Sequence, residues 1–107
     1  MKHTFYNKLV RDRIPGIIEA SGKRCDTRAL SEEEYPAMLK AKLREEMAEY
    51  EESGELEELA DMLEILHALA AVGGCSPEGL EELRARKAEE RGGFAKKILL
   101  LAVEEAD

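Results

Sequence analysis

Between residues 31 and 91 the chain alternates stretches of helical hydrophobic spacing with short glycine-containing breaks. The first stretch opens on Ser31-Glu32-Glu33-Glu34, the S-x-x-E pattern in which a serine and a glutamate cap each other's backbone at a helix start. Pro36 follows, tolerable in a first turn but not deeper. Leu39, Leu43, Met47 and Tyr50 then recur at steps of three and four, which predicts a helix to about Glu52 with one apolar side. Ser53 and Gly54 break it. Met62, Ile65, Leu66 and Leu69 mark a second helix over about Glu55 to Val72, ended by Gly73-Gly74. Ser76-Pro77-Glu78 starts a third, with serine as cap and proline at the first helical position, running to about Arg91 before Gly92-Gly93.

The flanks are less regular. Pro15 suits the first turn of a short helix that Gly22 ends, and Lys23 to Leu30 reads as an extended connector or a short strand. The run ILLLAV within Phe94 to Asp107 fits a helix or an extended tail equally. With no repeat, linker or composition shift, residues 1–107 read as a single domain. The expected class is all-α: a helical bundle built on an antiparallel hairpin, because the short loop at Ser53-Gly54 favours antiparallel neighbours.

Acidic residues interrupt the apolar stripes. Leu43 to Leu63 carries eight Glu and one Asp. On the second predicted helix the stripe, extended backwards, reaches Asp61 and Glu58. On the first, Glu46 and Glu49 lie within the apolar arc. Folding the hairpin about Ser53-Gly54 sets Glu49 level with Glu58 and Glu46 level with Asp61, a rough square of four carboxylates. Such a square raises its own pKa values and destabilises the fold unless neutralised. Carboxylate oxygens suit a hard divalent cation, Mg²⁺ or Mn²⁺, which shares its coordination with water and substrate phosphates. Any one of these acids, taken alone, reads as a solvated glutamate; the quartet reads as a metal site.

Composition narrows the field. The net charge of −8 argues against nucleic-acid binding, which needs a basic footprint, but not against a polyanionic small ligand carried with a divalent cation. No run approaches the roughly 18 apolar residues of a membrane span, and no signal peptide opens the chain, so the cytoplasm is the expected compartment. Cys25 and Cys75 read as reduced packing thiols. His3 and His67 are the only histidines; His67, in an apolar stretch, reads as packed, and no zinc cluster exists. The cations group as Lys8, Arg11 and Arg13 near the start and as Lys87 and Arg91 four apart on the third predicted helix. On residues alone, each group suits ion pairing or solvation as well as phosphate.

Three segments together resemble a known family. Glu46-Met47-Ala48-Glu49 followed by Glu58-Leu59-Ala60-Asp61, the opening YNKLVRDRIPGII, and the late Lys87 with Arg91-Gly92-Gly93-Phe94 are similar to the all-α nucleotide pyrophosphohydrolases. They look most like the MazG-like group and its phosphoribosyl-ATP pyrophosphohydrolase-like subgroup. The resemblance runs in order from Tyr6 to Phe94. It implies a helical bundle assembled as a homodimer or tetramer, and Mg²⁺-dependent cleavage of a nucleoside triphosphate between the α- and β-phosphates, giving a monophosphate and pyrophosphate. It implies Glu46, Glu49, Glu58 and Asp61 as metal ligands. The attacking water would be oriented by Glu46 or Glu49 or by the adjacent Glu45. Lys8, Arg11, Arg13, Lys87 and Arg91 would meet the phosphates, since such hydrolysis needs a positioned water, charge offset and cationic contacts. Tyr6, Tyr35 and Phe94 are candidates for base stacking, though each also suits core packing. A hairpin cannot enclose a nucleotide alone, so a partner subunit is expected to complete the pocket.

Two alternatives remain open. One is phosphoribosyl-ATP pyrophosphohydrolase chemistry, which uses the same carboxylate square on a substrate with an added ribose phosphate. The other is a non-catalytic helical oligomerisation module whose acids are merely solvated.

Overall fold

The computed structural model describes residues 2–106. Four helices account for its regular structure: α1 (Ile14–Ala20), α2 (Glu34–Ser53), α3 (Leu56–Val72) and α4 (Pro77–Arg91), with no strand among the described residues. The all-α expectation holds. The connector from Lys23 to Leu30 is irregular rather than a strand.

Local chemistry accounts for the boundaries. The regular part of α2 begins at Glu34, and the capping box closes the turn before it. The Glu34 N–H donates to Ser31 Oγ at 3.1 Å, and the Ser31 N–H donates to Glu34 Oε1 at 3.0 Å. Arg28 clamps the same carboxylate with two bonds of 3.0 and 2.8 Å. The Arg28 bonds, then the Ser31 donors, hold the Glu34 pKa down at about 2. At the other end, Gly54 takes φ 68°, and its N–H donates to the Tyr50 carbonyl at 2.8 Å. That left-handed stop is one glycine adopts without a Cβ penalty. At α4, Ser76 Oγ accepts from the Gly79 N–H at 3.0 Å and Pro77 occupies the first turn. Gly92, at φ 80° and ψ 179°, ends it in a region open essentially to glycine alone.

α2 packs along α3, and α4 contacts α3 but not α2; α3 and α4 cross at a bend of 104°. The core is small. Leu39 and Ile65 are its buried apolar residues, and Glu46 is buried beside them. Other members of the two apolar stripes remain open, Met47 at 44% and Leu66 at 41% exposure. Two packed helices cover only part of stripes this wide.

The tail resolves the ambiguity of ILLLAV. After a turn closed by the Lys97 N–H on the Phe94 carbonyl at 3.1 Å, residues 97–106 are neither helix nor strand. An isolated short run gains too little to nucleate a helix in water. Ile98, Leu99, Leu100, Leu101 and Val103 are all at least 74% exposed. The molecule measures 72 × 32 × 24 Å, with a radius of gyration of 19.2 Å, against about 13 Å for a compact domain of this length. No single helix among the described residues is long and apolar enough to cross a membrane.

Candidate metal centre

Acids of α2 and α3 gather round one buried carboxylate, Glu46; Glu45, Glu58 and Asp61 are partly exposed and Glu49 is exposed. Glu45, Glu46 and Glu49 each bring a carboxylate oxygen within 4.8 Å of the others. Glu46 is the inner member. It is 5% exposed, and its Oε2 has no hydrogen-bond partner. Its pKa is raised, first by burial, then by the charges of Glu49 and Asp61, with Lys42 opposing. A buried carboxylate oxygen left unsatisfied is costly, and here like charges crowd it as well. That is the donor set a hard cation relieves: oxygen-only, anionic, preorganised on helices.

Asp61, from α3, is near enough to Glu46 to raise its pKa, and accepts from Arg11 Nη2 at 2.6 Å. Glu58, also on α3, accepts from the Ser53 hydroxyl at 2.9 Å. Of the four acids expected to form a square, Glu46 and Glu49 come together, joined by Glu45; Asp61 lies outside that group and reaches Glu46 only through its charge, and Glu58 is tied to the end of α2. Glu45, placed one position round the helix by sequence reasoning, stands within the cluster.

Cations surround these acids. Lys8 Nζ donates to Glu45 Oε1 at 3.0 Å; that bond and the attraction between the two charges raise the Lys8 pKa and lower that of Glu45. Lys42 Nζ lies 3.6 Å from both Glu45 Oε2 and Glu46 Oε1. Sequence reasoning passed over Lys42, although its spacing of three and four from Glu45 and Glu46 marks it as their partner on one helix face. Lys8, Lys42 and Glu45, with Asn7, Leu9, Met38 and Ala41, line a pocket of about 90 Å³ beside the cluster.

The remaining candidates lie elsewhere. Arg13 is exposed and its carbonyl accepts the Ile17 N–H at the start of α1. Lys87 and Arg91 are exposed on α4, which does not touch α2, so one chain does not bring them onto the cluster through packed helices. Of the stacking candidates, Tyr6 lies under the Lys8 ammonium, 5.8 Å from the ring centroid. Tyr35 is partly exposed and Phe94 fully so. His67 is half-buried and lines an apolar groove between α3 and α4 with Leu63, Leu66 and Leu80. Cys25 and Cys75 are free thiols.

Over 42 residues the chain is 60% identical to an uncharacterised protein of Mycolicibacterium smegmatis, a match covering 39% of this chain and 43% of that protein. No family model matches the chain. No solved structure matches it either.

Proposed function

We propose that the protein is a Mg²⁺-dependent nucleoside triphosphate pyrophosphohydrolase of MazG-like type, releasing a nucleoside monophosphate and pyrophosphate. The observation that carries the reading is Glu46: a buried carboxylate with an unsatisfied oxygen, set among Glu45, Glu49 and Asp61. A merely solvated acidic face has no reason to bury one of its charges beside three others.

Glu46, Glu49 and Asp61, with Glu58 at the edge, would hold Mg²⁺ or Mn²⁺. The bound cation would offset phosphate charge and polarise the scissile anhydride. Glu45 then stands beside the ligands, placed to accept a proton from water. Lys42 favours the anionic form of Glu45 and opposes, without cancelling, the rise at Glu46. Lys8 and Arg11 supply the cations nearest the cluster, and arginine in particular suits bidentate contact with phosphate.

The surface left open by one chain supports a homo-oligomer, dimer or tetramer, covering Leu63, Leu66 and the tail. In that assembly Lys87 and Arg91 would serve a site shared between copies. The reading makes the protein a cytosolic enzyme that binds neither membrane nor nucleic acid.

Incubation with a panel of ribo- and deoxyribonucleoside triphosphates, with and without Mg²⁺ and with products resolved by chromatography, tests this directly. Monophosphate plus pyrophosphate, formed only with metal and lost in Asp61→Asn, supports the reading. If every triphosphate stays intact, phosphoribosyl-ATP is the next substrate to try. Inertness there as well returns the protein to the class of non-catalytic oligomerisation modules.

A further inference from the structure

Lys8 and Arg11 do more than lie near the acids. They stand three positions apart on a non-helical stretch, yet each reaches a different helix. Lys8 pairs with Glu45 on α2, 37 positions away, and Arg11 with Asp61 on α3, 50 positions away. Three residues of extended chain span about 10 Å, so a short piece of backbone bridges both helices across the mouth of the carboxylate cluster. Asn7, with φ 46°, sits immediately before it, in a left-handed conformation that asparagine tolerates better than most residues. Leu9 anchors the stretch, half-buried against the pocket that Met38 and Ala41 line from α2.

The two ion pairs use carboxylates that belong to the candidate metal centre. A cation drawing on Asp61 or Glu45 must compete with a guanidinium at 2.6 Å and an ammonium at 3.0 Å. Both pairs are partly open to water, with side-chain exposures of 55% and 38% for Arg11 and Asp61 and 41% and 31% for Lys8 and Glu45. Exposed pairs are weak and screened by salt, so the bridge opens at little cost. A divalent cation brings greater charge to the same oxygens.

We propose that residues 7–11 form a cation-bearing strap that competes with the divalent cation for Asp61 and Glu45. Metal binding displaces Arg11 and Lys8 from those carboxylates and frees them for an incoming polyphosphate. Metal therefore binds before the polyphosphate, and the strap keeps the acids neutralised until it does. This rests on the cluster being a metal site, as proposed above.

Titration calorimetry of the full chain with MnCl₂ at low salt tests the competition. Wild type is compared with Arg11→Gln and Lys8→Met, and amide hydrogen exchange of residues 7–11 is followed with and without Mn²⁺. The strap predicts tighter Mn²⁺ binding in each variant, by up to about fivefold for one exposed ion pair. It also predicts faster exchange at residues 7–11 of the wild type when Mn²⁺ is added, a readout independent of any variant's folding. Wild-type Mn²⁺ binding with unchanged or weaker affinity in both variants, and unchanged exchange, would overturn the strap while leaving the metal site standing. No Mn²⁺ binding by wild type or variants would overturn the metal site and the strap with it.

Discussion

The two irregular ends of the chain are held in opposite ways. The segment before α1 is polar and charged, yet Lys8 and Arg11 fasten it to both central helices. The tail after α4 is the most apolar stretch of the molecule, yet Ile98 to Val103 lies open to water. Burial of apolar surface is the dominant stabilising term in folding, so the tail is the segment that ought to be covered. The contrast separates two jobs. Charge fastens one end across the carboxylate cluster within one chain, whereas the apolar tail and one side of α3 stay open to water and are the surface assigned to the proposed homo-oligomer.

The sharpest way to test that separation is to damage each end and ask what fails. Glu46→Gln and Asp61→Asn should lower triphosphate turnover by at least about 100-fold, since even outer partners of metal ligands cost 10- to 100-fold. They should leave the proposed homo-oligomer intact by light scattering. Leu99→Asp combined with Leu101→Asp should do the reverse, shifting the protein towards monomer while Mn²⁺ binding survives. A tail double variant that stays fully oligomeric would remove the tail from the interface.

pH distinguishes two glutamates on one helix. The pKa of Glu46 is raised by burial and by Glu49 and Asp61. Its contribution to stability is therefore present at low pH, where the carboxyl is protonated, and is lost as pH rises through its elevated pKa. In chelator, the wild type should lose stability on this limb, and Glu46→Gln should flatten it and melt higher at neutral pH. Glu34 runs the other way. Its pKa falls from about 4.5 to about 2, so its contribution is present above the ordinary value and lost as pH falls towards 2. Because the Arg28–Glu34 pair is exposed, Glu34→Gln should alter the acid limb of the melting profile only slightly. Between these effects lies Ser31→Ala, expected to cost about 1 kcal/mol in urea unfolding through loss of half the capping box.

The helices were legible because their ends are written locally. Ser31 with Glu34, Gly54, Ser76 with Pro77, and Gly92 each act within a few residues, and the structure places α2, α3 and α4 within a residue or two of where those signals fall, allowing for the turn at 31–33. The inward turn of Glu46 was legible for the same reason: it interrupts an apolar stripe with a fixed period. The strap was not. Nothing in a periodicity links Lys8 to Glu45 or Arg11 to Asp61, because those pairs depend on how a non-helical stretch returns across two helices. Glu58 shows the complementary limit. Its spacing aims it at the cluster, but a hydroxyl at the end of α2 takes one of its oxygens. The tail was undecided because ILLLAV carries no polar face to set a period, and its conformation depends on what covers it.

The central claim is that a buried, crowded Glu46 marks a divalent cation site. Electron paramagnetic resonance of Mn²⁺ titrated with wild type and with Glu46→Gln, both checked for helical content, tests it most directly. Loss of the free Mn²⁺ signal with the wild type, and much weaker loss with Glu46→Gln, is the predicted result. Equal signals with the two proteins, whether both bind or neither does, would contradict it.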